Sequence, residues 1–228
     1  MDNIKIIGTS HISKQSINEI KNSVTDWKPE ILALELDFQR AMSLMQDQKN
    51  KVSLTQIMQI GVKGYVFAKI GQFAQQKLGK IVGVSPGSEM KTALNLAKKE
   101  KLEVAFIDQP IRITLKNFSK TLTWKEKFRF IGEIFRGIFS KKKQIEKYGL
   151  DKFDLSKVPA DELIEKMMAP MKKDFPSVYK TLVLDRNKYM VKQLVKLMRK
   201  FPDKKILVVV GAGHKKGMEE LLLKVEVV

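Results

Sequence analysis

The feature that most constrains the fold is a set of short, predominantly apolar runs: Ile4–Ile7, Ile31–Leu36, Ile81–Val84, Val104–Ile107 and Ile206–Val210. Each is rich in Ile, Val or Leu and lacks the polar–apolar alternation of a sheet with one wet face. Strands covered on both sides read this way, and such strands belong to parallel sheets flanked by helices. Helical segments separate the runs. From Ser16, the residues Ile17, Ile20, Val24 and Trp27 fall at helical spacing until Pro29 closes the unit. From Ser88, read as an N-cap, Met90, Leu94 and Ala97 form one stripe. The rhythm predicts an α/β fold with a largely parallel central sheet and flanking helices.

Two stretches interrupt that rhythm. Residues 38–79 read as helix, with Gly61, Gly64, Gly71 and Gly79 as kink points. Residues 115–201 contain several helices and no convincing strand, and read as a helical insertion before the last strand. The 228 residues are expected to form one domain.

The chain holds two histidines, and both end a Gly-x-x-His motif that directly follows an apolar run. One is Gly8-Thr9-Ser10-His11 and the other is Gly211-Ala212-Gly213-His214. Ligands of open α/β sheets bind outside the carboxyl ends of the strands, where both motifs fall. Imidazole is the commonest ligand of transition metals. The competing reading is a pair of structural histidines at strand ends.

Acidic residues recur at equivalent places. Glu35 lies inside the apolar run of LALELD, where an ionised carboxylate is costly unless paired or metal-bound. Glu89 follows the turn Ser85-Pro86-Gly87-Ser88, and Asp108 directly follows Val104–Ile107. Two histidines with one to three carboxylates at strand ends suit an open metal site. Structural roles compete here too: Asp108 can cap a turn before Pro110, and Glu89 can complement a helix N-terminus. In the helix expected from about Ser177 to Lys200, Leu182, Met190, Leu194 and Leu197 define a broad apolar face. Arg186 and Asn187 fall within it and Asp185 outside it. A buried arginine needs an anionic partner or substrate, so Arg186 is either a site residue or half of a structural ion pair.

The formal net charge is +18, and most of the excess lies in residues 101–205, which carry 26 basic and 13 acidic residues. Within Lys125–Lys143, Phe128, Ile131, Phe135 and Ile138 form an apolar stripe flanked by cations. This suits an interfacial helix on an anionic membrane surface, a partner helix in a homo-oligomer, or a core helix with a solvated basic face. Nucleic acid is the poorest fit, because the aromatics lie on the apolar stripe rather than among the charges. The absence of cysteine excludes disulfides and thiolate chemistry. The start, MDNIKIIGTS, does not read as a signal peptide, and no apolar stretch has the roughly 20 residues of a membrane span. The expected location is cytoplasmic or membrane-associated.

Several blocks, in order, resemble the TraB family, the pheromone-shutdown or PrgY-like family, with GumN and the Tiki peptidases as more distant relatives. These are IIGTSHIS, KPEILALELDFQR, GKIVGVSPGSEMKTALNLAKK with VAFIDQPIRITL, LVLDRNKYM, and VVVGAGHKKGM. The resemblance implies an α/β fold shared with erythromycin-esterase-like and ChaN-like proteins. It also implies a metal-dependent peptidase or related hydrolase using manganese, cobalt or zinc. Residue by residue, the motif histidines are His11 and His214, the acidic residues Glu35 and Glu89, and the arginine Arg186. The chain departs from the family pattern at Asp185-Arg186-Asn187, usually Glu-Arg-Asp, and at Asp108-Gln109, usually Asp-Arg.

The expectation is a hydrolase with a divalent ion on His11, Glu35 and His214, Glu89 as general base, and Arg186 at the developing oxyanion. A peptide is the expected substrate. The alternative is a module that binds or sequesters a peptide without cleaving it.

Overall fold

A computed structural model describes residues 3–9, 14–46, 87–126, 128–129 and 161–226. Its elements run β1 (Ile4–Thr9), α1 (Lys14–Trp27), β2 (Ile31–Leu34), α2 (Phe38–Met45), α3 (Ser88–Lys99), β3 (Glu103–Phe106) and α4 (Ile111–Thr121). They continue with α5 (Asp161–Asp174), α6 (Pro176–Tyr179), a π-helical turn (Lys180–Leu184), α7 (Asp185–Lys200), β4 (Ile206–Gly211) and α8 (Ala212–Glu226). The described strands form one sheet of order β1-β4-β2-β3, and every pairing is parallel. The fold is α/β, as the apolar runs predict.

The last strand slots between the first and the second, and all six of its residues are buried. Its side chains alternate between two cores. Leu207 and Val209 join Leu32 and Leu34 of β2 under Ile20 and Val24 of α1 and Met90, Ala93 and Leu94 of α3. Ile206, Val208 and Val210 join Ile31 and Ala33 beneath Met190, Val191 and Leu194 of α7 and Met218 and Leu222 of α8. Each fully buried aliphatic side chain contributes about 1.5–3 kcal/mol, so this central strand anchors both layers. Helix α7, which ends the stretch read as a helical insertion, thus covers one face of the sheet.

The edge strand departs from expectation. Burial on both faces holds for β2 and β4, whereas Glu103 and Val104 of β3 are exposed; among the described strands β3 has a neighbour on one side only. The cap of α3 also differs. Gly87, with φ of +81°, is the cap and Ser88 the first helical residue. That left-handed conformation suits glycine, because a Cβ there meets strain whatever the space. The expected strand Ile81–Val84, most of the 38–79 stretch and most of Lys125–Lys143 lie outside the described residues. Among those described, no helix is long and apolar enough to cross a membrane.

The π-helical turn precedes α7. Its backbone closes with the Asp185 N–H donating to the Lys180 carbonyl, five residues back. Five residues span about 500° in an α-helix, which would leave the two side chains well apart. Across the wider turn Lys180 Nζ reaches Asp185 Oδ2 at 2.7 Å. Such turns concentrate at functional sites.

Candidate functional site

Three strand ends and two helices meet at the carboxyl edge of the sheet. Glu35 follows β2, where its own N–H still donates to the Val209 carbonyl at 3.0 Å. Asp108 follows β3, and His214 stands in the first turn of α8 directly after β4. Arg186 reaches them from α7. All are largely withdrawn from solvent: Glu35 is 6% exposed, Asp108 4%, His214 8% and the Arg186 side chain 15%.

Arg186 is the hub. Its Nε donates to Asp108 Oδ1 at 3.0 Å, and its Nη2 donates to Asp108 Oδ2 at 2.7 Å and to Glu35 Oε1. The Asp108 contact is a bidentate fork, a geometry that guanidinium supplies and ammonium does not. Nη1 lies 3.1 Å from His214 Nε2 and 3.3 Å from the Leu182 carbonyl within the π-helical turn. Burial alone would lower the Arg186 pKa. The charges of Glu35 and Asp108, with their hydrogen bonds, overcome this and raise it above its ordinary value. Arg186 therefore stays cationic throughout any working pH.

The carboxylates have further support. Glu35 Oε2 accepts from the Gly211 N–H at 2.5 Å, which sets a negative charge at the N-terminus of α8, where the helix dipole favours it. Asp108 Oδ1 accepts from the Gln109 N–H at 2.7 Å. His214 Nε2 lies 3.4 Å from Glu35 Oε1, and its Nδ1 lies 2.6 Å from Asn187 Oδ1.

A second arginine enters from α2. Arg40 Nη2 donates to Asp108 Oδ2, while its Nε donates to Asp37 Oδ2 at 2.9 Å. Asp37 caps two helices at once, accepting from the Arg40 N–H at 3.0 Å and the Ile111 N–H at 3.2 Å. Among the described residues, three carboxylates (Glu35, Asp37, Asp108) thus face two guanidiniums.

Of the residues singled out from sequence, Glu35, Asp108, Arg186 and His214 come together. Glu89 is 1% exposed in the first turn of α3, and the contacts named above do not include it. His11 lies outside the described residues. The two glycine motifs nevertheless begin side by side, for Gly8 pairs with Val210 and Thr9 with Gly211 across β1 and β4. Gly8 is constrained by that closeness. A Cβ there would stand 3.1 Å from the Ala212 Cα, a backbone atom that cannot easily yield.

Asp37, Arg40 and the polar role of Asn187 were not foreseen. Asp37 carries an N-cap signal by its residue type, but nothing local announces that Arg40 has a partner 68 residues away. Asn187 does have a signal, a polar residue on an apolar helix face; it is 2% exposed.

The family model for TraB/PrgY/gumN matches residues 2–226. An uncharacterized protein of Methanocaldococcus jannaschii is 34% identical over 225 residues, covering 98% of this chain and 54% of that relative. The TraB domain-containing proteins of Mus musculus and Homo sapiens are each 24% identical over 246 residues, covering 95% of this chain and 62% of theirs. The chain therefore spans between about half and three fifths of these relatives.

Proposed function

Because the chain belongs to the TraB/PrgY/gumN family, we propose that the Arg186 cluster is part of the active site of a metal-dependent hydrolase acting on peptides. The ion would be held by His11, Glu35 and His214. One observation carries the reading: Glu35 Oε1 and His214 Nε2 stand 3.4 Å apart in a buried site. Two donors on a tetrahedral ion with bonds of about 2.0–2.2 Å are about 3.3–3.6 Å apart. The donor chemistry fits as well, a carboxylate and an imidazole whose other nitrogen is engaged by Asn187. The surplus of carboxylates over guanidiniums also favours a cation. Among the described residues no three His, Cys, Asp or Glu side chains are grouped to hold a metal, so the reading needs His11 as the third ligand.

A bound divalent ion supplies a water of lowered pKa and polarises a carbonyl. The chain's own residues do the rest. Arg186, held by Asp108, would present permanent positive charge to a developing oxyanion, with its contacts to Glu35 Oε1 and His214 Nε2 given over to the ion. Arg40, whose side chain is 29% exposed, lies farther toward solvent beside Asp108 and suits an anionic group of the substrate. Glu89 is the proposed general base.

Titration calorimetry with Mn²⁺, paired with mass spectrometry of peptides incubated with the protein, tests this reading. Stoichiometric binding lost in His11→Ala and in His214→Ala, together with metal-dependent cleavage, is the expected outcome. Undiminished binding in His11→Ala overturns the ligand set. Metal binding with every peptide left intact but bound favours the sequestering module.

A further inference from the structure

We propose that Asn187 is a positioning residue that holds His214 in one tautomer, with the proton on Nδ1 and the Nε2 lone pair turned toward Arg186 and Glu35. The assignment follows from a chain of donors and acceptors. A guanidinium has N–H donors and no acceptor. Arg186 Nη1, 3.1 Å from His214 Nε2, can only donate, so this contact is a hydrogen bond when Nε2 accepts, and Glu35 Oε1, which would favour a proton there, stands farther off at 3.4 Å. In the neutral ring the proton then resides on Nδ1, which donates to Asn187 Oδ1 at 2.6 Å. Flipping the Asn187 amide would bring its NH₂ to Nδ1 and force the ring proton onto Nε2, against the Arg186 donor. The network as built avoids that opposition of donors.

The amide packs closely against α8 from behind. Asn187 Nδ2 comes so close to α8 that a Cβ on Gly217 would lie 2.4 Å from it. Gly217 stands three residues after His214, so the same turn of α8 supplies both the ring and the space for the amide that orients it. Asn187 is 2% exposed and His214 8%, so water competes little for either bond. In the proposed hydrolase, on whose reading its use depends, this tautomer is the one that would offer Nε2 as a ligand once an ion took the place of the Arg186 Nη1 contact. The tautomer itself stands apart from that reading.

Nitrogen-15 NMR of uniformly labelled protein at neutral pH tests it. The chain has two histidines, and the spectrum of a His11→Gln variant assigns His214. The expected spectrum shows a protonated Nδ1 and an unprotonated Nε2. In Asn187→Ala the tautomer ratio should move toward the Nε2 proton by at least about fivefold, the scale of one lost buried hydrogen bond. Gly217→Ala removes no polar group and should shift the ratio in the same direction by displacing the amide. Asn187→Asp restores an acceptor and should return the proton to Nδ1. An Nε2 proton in the unaltered protein overturns the proposal, whatever the variants do. So does an unchanged ratio in both Asn187→Ala and Gly217→Ala with folded, dispersed spectra. If His214 has the expected tautomer and the protein binds no metal, the hydrolase reading falls and this one stands.

Discussion

Helix α7 carries the same kind of residue on two faces with opposite consequences. On the inner face Arg186 is withdrawn from water and bound to Asp108, Glu35 and His214. On the outer face Lys188, Lys192, Lys196 and Arg199 are exposed beside Val191, Val195, Leu221 and Val225 in a shallow groove of about 400 Å³. Losing a buried partner strands the others in low dielectric, whereas an exposed cation exchanges one hydrated state for another. The difference teaches that position, rather than charge, decides what a cation on this helix contributes.

Arg186→Met should break the comparison hardest. It leaves Glu35 and Asp108 without their shared guanidinium, and about 3–5 kcal/mol should be lost in urea unfolding. A loss below about 1 kcal/mol would mean that water reaches the cluster and that the two faces are alike. Gly217→Ala comes next, with about 1–3 kcal/mol expected from the same measurement, because the added methyl must displace the buried Asn187 amide.

A third test uses a buried acid away from Arg186. Thr123 and Glu126 form a reciprocal cap: the Glu126 N–H donates to Thr123 Oγ1 at 3.2 Å, and Glu126 Oε2 accepts from the Thr123 N–H at 3.0 Å. Glu126 Oε1 also accepts from the Ser177 N–H at 2.7 Å, at the start of α6. Burial alone would raise the Glu126 pKa, but the hydrogen bonds from Thr123 and Ser177 outweigh it and hold it below the usual 4.5. A depressed folded-state value gives stability that is complete above about 4.5 and is lost as pH falls through the lower folded value. Thr123→Ala should cost about 1 kcal/mol at neutral pH, and Glu126→Gln should flatten the acid limb of a stability–pH curve. An unchanged acid limb would assign that slope to other carboxylates.

The smallest effect belongs to the outer face. Lys192→Ala should change stability by no more than about 0.5 kcal/mol in thermal unfolding. A larger loss would give the outer cations a structural partner and blur the contrast with Arg186.

The α/β class was legible because Ile31–Leu36 and Ile206–Val210 are too continuously apolar for a one-faced sheet. Glu35 was legible because a charge inside such a run demands a partner. Arg186 was legible because the helical period carries it onto the apolar face. Arg40 was not, since its burial depends on Asp108, which only the folded sheet brings near. The capping role of Gly87 escaped the reading that placed Ser88 at the cap, because Ser is a strong N-cap and the sequence does not show that Gly87 takes a left-handed backbone. The peptidase expectation rests on the resemblance.

The π-helical turn at Lys180–Leu184 amounts to one surplus residue in an otherwise continuous helix. It acts as a phase shifter. With the core of α7 held against the sheet by Met190, Val191 and Leu194, the extra residue absorbs a rotation of about 100° between α6 and α7. Excising Val183 should let the turn wind down to ordinary α-helix, and the mismatch would then pass to one side or the other. Either α6 swings away from the Glu126 cap, or Arg186 turns out of the cluster. A single deletion, with no charge altered, would thus reveal which of those two anchorages the molecule gives up first.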